Sequence, residues 1–153
     1  IVHVHPKFTV VMSVLKANLV PMAQEGILVV RRPLPVYPHS KVVTTEAEGQ
    51  EVARLLGIGR AVLLFGHGAV TAAASLEQSV TTMVQLEHQA EMNYHAYCAM
   101  GPDHPSIPDQ LVEEIARGRS YDAPHFQAAI AKAGMPKYTG IWHYYAELVS
   151  GDL

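Results

Sequence analysis

The sequence lacks the features that mark secreted, membrane-spanning and nucleic-acid-binding proteins. Its single cysteine, Cys98, cannot form an internal disulfide, so a reducing compartment such as the cytoplasm is the expected location. Its longest apolar runs, such as residues 61–65, are far shorter than the roughly 20 residues of a membrane-spanning helix. The net charge is −3, without a basic block, so neither nucleic acid nor an anionic membrane is an expected partner.

The remaining composition is typical of a globular fold. Hydrophobic residues make up 49% and charged residues 16% of the 153 residues. That is enough apolar surface for one hydrophobic core and too little charge for disorder. No internal repeat or low-complexity tract divides the sequence, which predicts a single domain over residues 1–153.

The first five residues have the pattern of a strand. Ile1, Val2 and Val4 are β-branched, and no methionine, cap or turn precedes them. The pattern predicts a buried strand, and a chain rarely begins inside one because termini are usually loosely held at the surface. We therefore expect residues to precede Ile1, so that the N-terminal part of the domain is missing from this sequence.

The rest of the sequence predicts interleaved helices and strands, the pattern of an α/β layer structure. Capping residues and breakers predict helices at about residues 8–15, 46–56, 76–100, 108–117 and 124–133, and an aromatic amphipathic end at 141–145. Strands are expected at residues 61–65 and 69–72, with further short strands around Gly26 within residues 19–30. Three prolines predict an extended loop between residues 33 and 38.

Three histidines occupy positions suited to a metal site. His3 and His5 are two apart on the first strand, so both imidazoles project from the same face. His67 lies between two glycines directly after a buried strand, where α/β folds bind ligands. Three histidines at strand ends are typical of a catalytic metal site with open positions for water or substrate. The alternative is three unrelated histidines with structural hydrogen bonds.

With these motifs the sequence resembles the class II aldolase/adducin family. The likeness rests on residues 3–6 (HVHP), residues 63–70 (LLFGHGAV) and residues 75–77 (SLE), which open the long helix. The resemblance implies an α/β fold, a three-layer α/β/α sandwich around a mixed, mainly antiparallel sheet. It also implies a homotetramer with active sites between subunits, and a divalent metal ion held by His3, His5 and His67. Zinc or manganese is expected, with iron or cobalt as alternatives.

The resemblance also implies carbon–carbon lyase chemistry. The acid/base of the family's aldolases precedes the first histidine motif, so it is expected outside this sequence. Residues 3–8, 86–91 and 142–145 look more like the aromatic-acid decarboxylases, which predicts decarboxylation of a hydroxylated aromatic acid, dihydroxyphthalate-like or a hydroxypyridine carboxylate. The alternatives are a sugar-phosphate aldolase or epimerase of the fuculose- or ribulose-phosphate type, and a non-catalytic adducin-like interaction module.

Two further groups each allow two interpretations. Tyr144 and Tyr145 are the candidate catalytic residues, as proton donors or as rings closing over an aromatic substrate; the alternative is packing of the terminal helix. A second group on the long helix has spacings of three and four, which fit either a second metal site or an ordinary polar face: Glu87, His88, Glu91 and His95.

The remaining candidates are weaker. Their patterns fit several roles: lining the pocket, pairing with a substrate carboxylate, packing, or simple exposure at the surface. These residues are Tyr37, His39, Arg31, Arg32, Trp142, His143 and His125. Cys98 is expected to be a small buried apolar residue rather than a nucleophile.

Overall fold

The computed structural model describes residues 1–118, 128–129, 131–132 and 140–151. Its strands are β1 (Val2–Val4), β2 (Val36–Tyr37), β3 (Ala61–Leu64) and β4 (Gly68–Thr71). Its helices are α1 (Lys7–Val14), α2 (Ile27–Val30), α3 (Glu46–Leu56), α4 (Leu76–Met100), α5 (Asp109–Gly118) and α6 (Gly140–Ser150).

The four strands form one mixed sheet in the order β1-β4-β3-β2. β4 pairs antiparallel with both β1 and β3, and β2 pairs parallel with β3. The mixed, mainly antiparallel sheet is therefore confirmed. β1 lies at one edge, next to the strand that follows the His67 turn.

Helices cover both faces of this sheet. Ala61 and Leu63 of β3 belong to a core shared with α1 and α4, whereas Val62 and Leu64 pack with Val52 of α3. Because successive side chains of a strand point to opposite faces, α1 and α4 lie on one face and α3 on the other. The three-layer α/β/α arrangement is confirmed.

The ends of α3 and α4 follow from their capping residues. Thr45 and Glu48 form a reciprocal capping box at the start of α3, and Gly57 ends the helix at φ 51°. The Ser75 side chain caps α4, and Gly101 ends it at φ 80°. Glycine reaches positive φ without steric cost, so both predicted stops are confirmed.

The prediction of short strands within residues 19–30 is wrong. The segment is a loop followed by α2, which starts after Gly26 at φ 73°. The loop backbone bonds to the side chains of Gln89 and Asn93 on α4 instead of to a neighbouring strand. Its apolar residues therefore pack under a helix without joining the sheet.

Two burial predictions are also wrong. β1 is not buried, since Ile1 is 85% and Val4 44% exposed, because the strand lies at the sheet edge and only Val2 packs against the core. Cys98 is exposed. The buried residues of α4 end at Asn93, so the last turns of the helix lie beyond the packed core.

The predicted helix at residues 124–133, with His125, lies mostly outside the described residues; 128–129 and 131–132 are helical. None of the helices in the described part of the chain has the length and apolar character to cross a membrane.

Candidate metal centre

His67 lies in the tight turn between β3 and β4. Its backbone N–H donates a hydrogen bond to the Leu64 carbonyl at 3.0 Å. Gly66, at φ 61°, takes the left-handed conformation that this turn needs. The chain therefore reverses within three residues and presents His67 at the end of β3.

Two serines from separate segments of the chain form hydrogen bonds with this turn. The Ser13 hydroxyl of α1 accepts the Gly66 N–H at 3.0 Å and donates to the Val10 carbonyl at 2.7 Å. The Ser40 hydroxyl, after β2, donates to the Phe65 carbonyl at 2.6 Å. The position of the turn is therefore fixed by contacts from two separate parts of the fold.

His3 and His5 come from the edge strand. His3 pairs with Val70 in the β1–β4 ladder, and its Nδ1 lies 2.9 Å from the Ala69 carbonyl oxygen. With the proton on Nδ1, His3 donates this bond and keeps the Nε2 lone pair available for a metal ion. His5 follows the last ladder pair and directly precedes Pro6, the N-cap of α1.

The three imidazoles converge. The ring centroids of His3 and His5 are 5.1 Å apart, those of His3 and His67 5.0 Å, and those of His5 and His67 4.7 Å. One ligand atom from each residue lies within 4.8 Å of the other two. Nitrogens bound to one tetrahedral ion at about 2.0–2.1 Å lie about 3.3 Å apart, so small side-chain movements would bring all three onto one ion.

The donor set fits a divalent ion. His67 Nδ1 is buried and makes no hydrogen bond of normal geometry among the described residues. Burial, followed by the charges of His3 and His5, lowers the pKa of His67, which favours the neutral imidazole that metals bind. Three imidazole nitrogens suit zinc and other transition metals.

Gly68 allows the two histidine motifs to approach each other. A Cβ at this position would overlap the Val4 carbonyl oxygen and lie 2.9 Å from His5 Cδ2 and 3.2 Å from His3 Cε1. The absence of a side chain at Gly68 thus makes room for the β1 backbone and for the two histidine rings.

Tyr144 and Tyr145 lie on α6, which packs against α4. Their ring centroids are 5.3 Å apart, and burial, followed by the charge of Glu25, raises the pKa of Tyr145. In the described parts of the chain, no ring contact or hydrogen bond joins either tyrosine to the three histidines. Their catalytic role stays a prediction.

The four polar residues on α4 do not form a second metal site. Over residues 1–118 and the short described stretches beyond, the cluster of His3, His5 and His67 is the one group of three or more potential ligands that meets. Glu87 instead binds the first turn of α1, an interaction without a local sequence signal because 78 residues separate Glu87 from Thr9. His95 contacts the Phe8 ring at 5.9 Å.

The weaker candidates lie elsewhere. Tyr37 is buried in the core beneath α3 and contacts the His39 ring at 5.0 Å. Arg31 and Arg32 are both exposed. Trp142 is half-buried on α6 and His143 is exposed. None of these residues belongs to the histidine cluster.

The fold is a three-layer α/β/α sandwich. Its three clustered histidines, from two strand ends, have the arrangement of a metal-binding site. Residues 1–94 match the family described as Class II Aldolase and Adducin N-terminal domain. The chain belongs to this family, as its two histidine motifs indicated.

Two curated relatives and one solved structure illustrate the range of the family. The chain is 28% identical over 105 residues to a 3,4-dihydroxyphthalate decarboxylase of Rhodococcus jostii (strain RHA1), covering 66% of this chain and 43% of that protein. It is 27% identical over 119 residues to the enzyme of the same name from Arthrobacter keyseri, covering 75% and 48%. The L-fuculose-1-phosphate aldolase of Thermus thermophilus has 30% identity and a TM-score of 0.55, covering 69% and 56%. The chain thus spans about half the length of the curated relatives it matches.

Proposed function

We propose that this chain supplies the metal-binding part of a divalent-metal-dependent carbon–carbon lyase. The observation that carries the proposal is the convergence of His3, His5 and His67 in a fold whose family includes lyases. Zinc or manganese is the proposed ion, with iron or cobalt as alternatives; of these, zinc and iron are the ions that imidazole nitrogens suit best.

The chemistry follows from what the three rings would hold. A divalent ion held by His3, His5 and His67 would supply Lewis-acid chemistry, that is, stabilisation of negative charge on substrate oxygens when a neighbouring carbon–carbon bond breaks. The chain's own contribution is preorganisation: the Ala69 carbonyl orients His3, and the serine-anchored turn fixes His67. Groups fixed before the reaction stabilise charge that develops in the transition state without reorganisation cost.

The proposed reaction is decarboxylation of a hydroxylated aromatic carboxylic acid, dihydroxyphthalate-like or a hydroxypyridine carboxylate. Two curated relatives named as 3,4-dihydroxyphthalate decarboxylases support this choice, at 28% and 27% identity. The residues around the first histidine motif and along α4 also resemble that branch. The proposed partner is therefore a small-molecule carboxylate.

Carbon dioxide release from 3,4-dihydroxyphthalate by the full-length protein that contains this chain, with added manganese or zinc, tests this reaction. We expect the wild type to release carbon dioxide. In a His3→Ala, His5→Ala double variant the rate of release should fall by at least about 10²-fold, because two of the three metal ligands are gone. Aldol cleavage of a sugar phosphate without any decarboxylation would contradict the proposal.

Metal content, measured by elemental analysis of the same two proteins, tests the site independently of the substrate. We expect a near-stoichiometric divalent ion in the wild type and its loss from the double variant. A wild type that carries no metal and takes none up would favour the adducin-like interaction module.

A sugar-phosphate aldolase or epimerase is the second candidate. The 30% identity to a fuculose-phosphate aldolase over 69% of the chain favours it, and the same metal chemistry would serve a sugar phosphate. Parallel assays with L-fuculose 1-phosphate and 3,4-dihydroxyphthalate separate the two candidates directly.

We also propose a single domain that assembles as a cytoplasmic homotetramer with its sites between subunits. The exposed apolar residues of α6 support assembly, because apolar surface of this kind is typical of interfaces. The mass of the full chain in solution, from light scattering, tests the oligomeric state.

A further inference from the structure

The first turn of α1 is capped from a distance. Its N-cap is Pro6, with no side-chain cap and no acidic residue in the first turn. The Glu87 carboxylate of α4 takes this role: Oε1 accepts the Phe8 N–H at 2.8 Å, and Oε2 accepts the Thr9 N–H at 2.9 Å and the Thr9 hydroxyl at 2.7 Å. Both oxygens are used, and a negative charge at a helix N-terminus is favourable.

Only one residue, Pro6, separates helix α1 from His5 of the candidate metal site. His5 lies outside the β1–β4 ladder, which ends at the pair of Val4 with Ala69. The link from His5 to α1 is Pro6, at φ −68° and ψ 134°. Proline fixes its own φ and restricts the residue before it, so the location of the α1 first turn largely determines where His5 lies.

The same helix α4 is bound to the strand that follows His67. Thr71 of β4 donates its hydroxyl to the Ser79 carbonyl, and the Ser79 hydroxyl donates to the Thr71 carbonyl, both at 2.9 Å. Both residues are fully buried. α4 therefore contacts β4 through its first turn and α1 through Glu87, and so connects the two histidine motifs.

We propose that Glu87 is a positioning residue for the metal site, acting through His5; this inference rests on the proposed function. Glu87 holds the first turn of α1 and so aligns His5 with His3 and His67. Groups that orient metal ligands typically change metal affinity by about 10–100-fold when removed.

Metal titrations of the full chain with Zn²⁺ and with Co²⁺ test this role. Glu87→Gln keeps the size of the side chain but loses the charge and at least one acceptor, so we expect the Kd for Zn²⁺ to rise about 10–100-fold. The Co²⁺ absorption spectrum should change, as it reports coordination geometry. Glu91→Gln, one turn along α4, is the matched control, because no hydrogen bond or ion pair of Glu91 is found in the described structure; its Kd should stay within about twofold.

A double-mutant cycle separates positioning from general stabilisation. If Glu87 acts through His5, Glu87→Gln should change the Kd less than about threefold in a His5→Ala background. Thr9→Val removes one of the three hydrogen bonds to Glu87, so it should change the Kd in the same direction but by less. It replaces Glu87→Gln in the cycle if the Glu87→Gln variant does not fold.

Each outcome decides the question. Folded Glu87→Gln or Thr9→Val protein with wild-type affinity and spectrum would overturn the inference while leaving the metal site intact. An equally large effect in the His5→Ala background would overturn it too. A wild type that binds neither ion would overturn the proposed function, and this inference with it.

Discussion

The two contributors to the histidine cluster are held in different ways. The turn carrying His67 is fixed by its own hydrogen bond, by Gly66 and by two serines from separate segments. The segment carrying His3 and His5 has a ladder of three residue pairs at the sheet edge.

The difference shows which half of the site sets the geometry. A turn bonded to two other segments cannot shift without breaking several hydrogen bonds, whereas β1 pairs with β4 alone among the described strands. His67 is thus the fixed reference of the cluster. His3 and His5 are adjusted to it by the Ala69 carbonyl and by the start of α1.

The largest effect is expected where the two regions touch. In Gly68→Ala the new Cβ would overlap the Val4 carbonyl and press on the His3 and His5 rings, so β1 must move away from β4. We expect a loss of about 3 kcal/mol in the free energy of unfolding and about 100-fold or more in metal affinity. Urea unfolding and Zn²⁺ titration measure the two losses.

Gly49→Ala is the matched control for that substitution. Gly49 lies within α3, and a Cβ there meets nothing within 4 Å. Alanine in a helix interior is more stable than glycine by about 0.5–1 kcal/mol, so this variant should gain stability and bind metal normally. Equal losses in both variants would show that Gly68 has no special part in joining the motifs.

A smaller effect is expected from loosening the His67 turn itself. Ser13→Ala leaves the part-buried Gly66 N–H without its partner, which should cost about 1–2 kcal/mol of unfolding free energy and about 10-fold in metal affinity. Ser40→Ala should cost less than about 1 kcal/mol, because Ser40 is exposed and water can reach the Phe65 carbonyl. Thermal unfolding of both variants checks that Ser13→Ala loses more stability than Ser40→Ala. A larger loss in Ser40→Ala would show that Ser40, and not Ser13, contributes more to holding the turn.

The smallest effect concerns the segment that brings Ser40 to the turn. Glu48 pairs with Lys41 and accepts the N–H groups of Thr44 and Thr45, and these contacts, Lys41 first, lower its pKa to about 2. A lowered folded-state pKa means that the stabilisation is present above the unfolded value of about 4.5 and is lost as the pH falls towards 2. In Glu48→Gln, the free energy of unfolding should depend less on pH between about 4.5 and 2.

The urea midpoint, followed between about pH 5 and pH 2, measures this contribution. Glu113→Gln removes an exposed carboxylate on α5 and serves as the control. A Glu48→Gln curve parallel to the wild-type curve would show that the pair contributes nothing to the stability of the segment.

Much of the fold could be predicted because its signals are local. The Ser75 cap and Gly101 set the ends of α4 at the predicted residues, and Thr45 and Gly57 did the same for α3. The meeting of the two histidine motifs was also predictable, since strand ends and a glycine-flanked turn place side chains at one edge of a sheet.

The errors concern contacts between distant parts of the sequence. An apolar run such as residues 19–30 has no marker showing that its backbone bonds to Gln89 and Asn93, so a strand was the local expectation. The cap by Glu87 had no marker either, because Pro6 gives no sign that α1 is capped from another helix.

The bonds between α4 and the loop before α2 have an evolutionary consequence. Gln89 accepts the Met22 N–H and donates to the carbonyls of Ala23 and Glu25, while Asn93 bonds both backbone groups of Val20. All of these bonds reach the loop main chain, so they depend on the number of residues in the loop and not on which side chains it carries. We expect insertions and deletions between Leu19 and Gly26 to be selected against, while substitutions at positions such as 22 and 23 accumulate freely. Glutamine and asparagine at positions 89 and 93 should persist together.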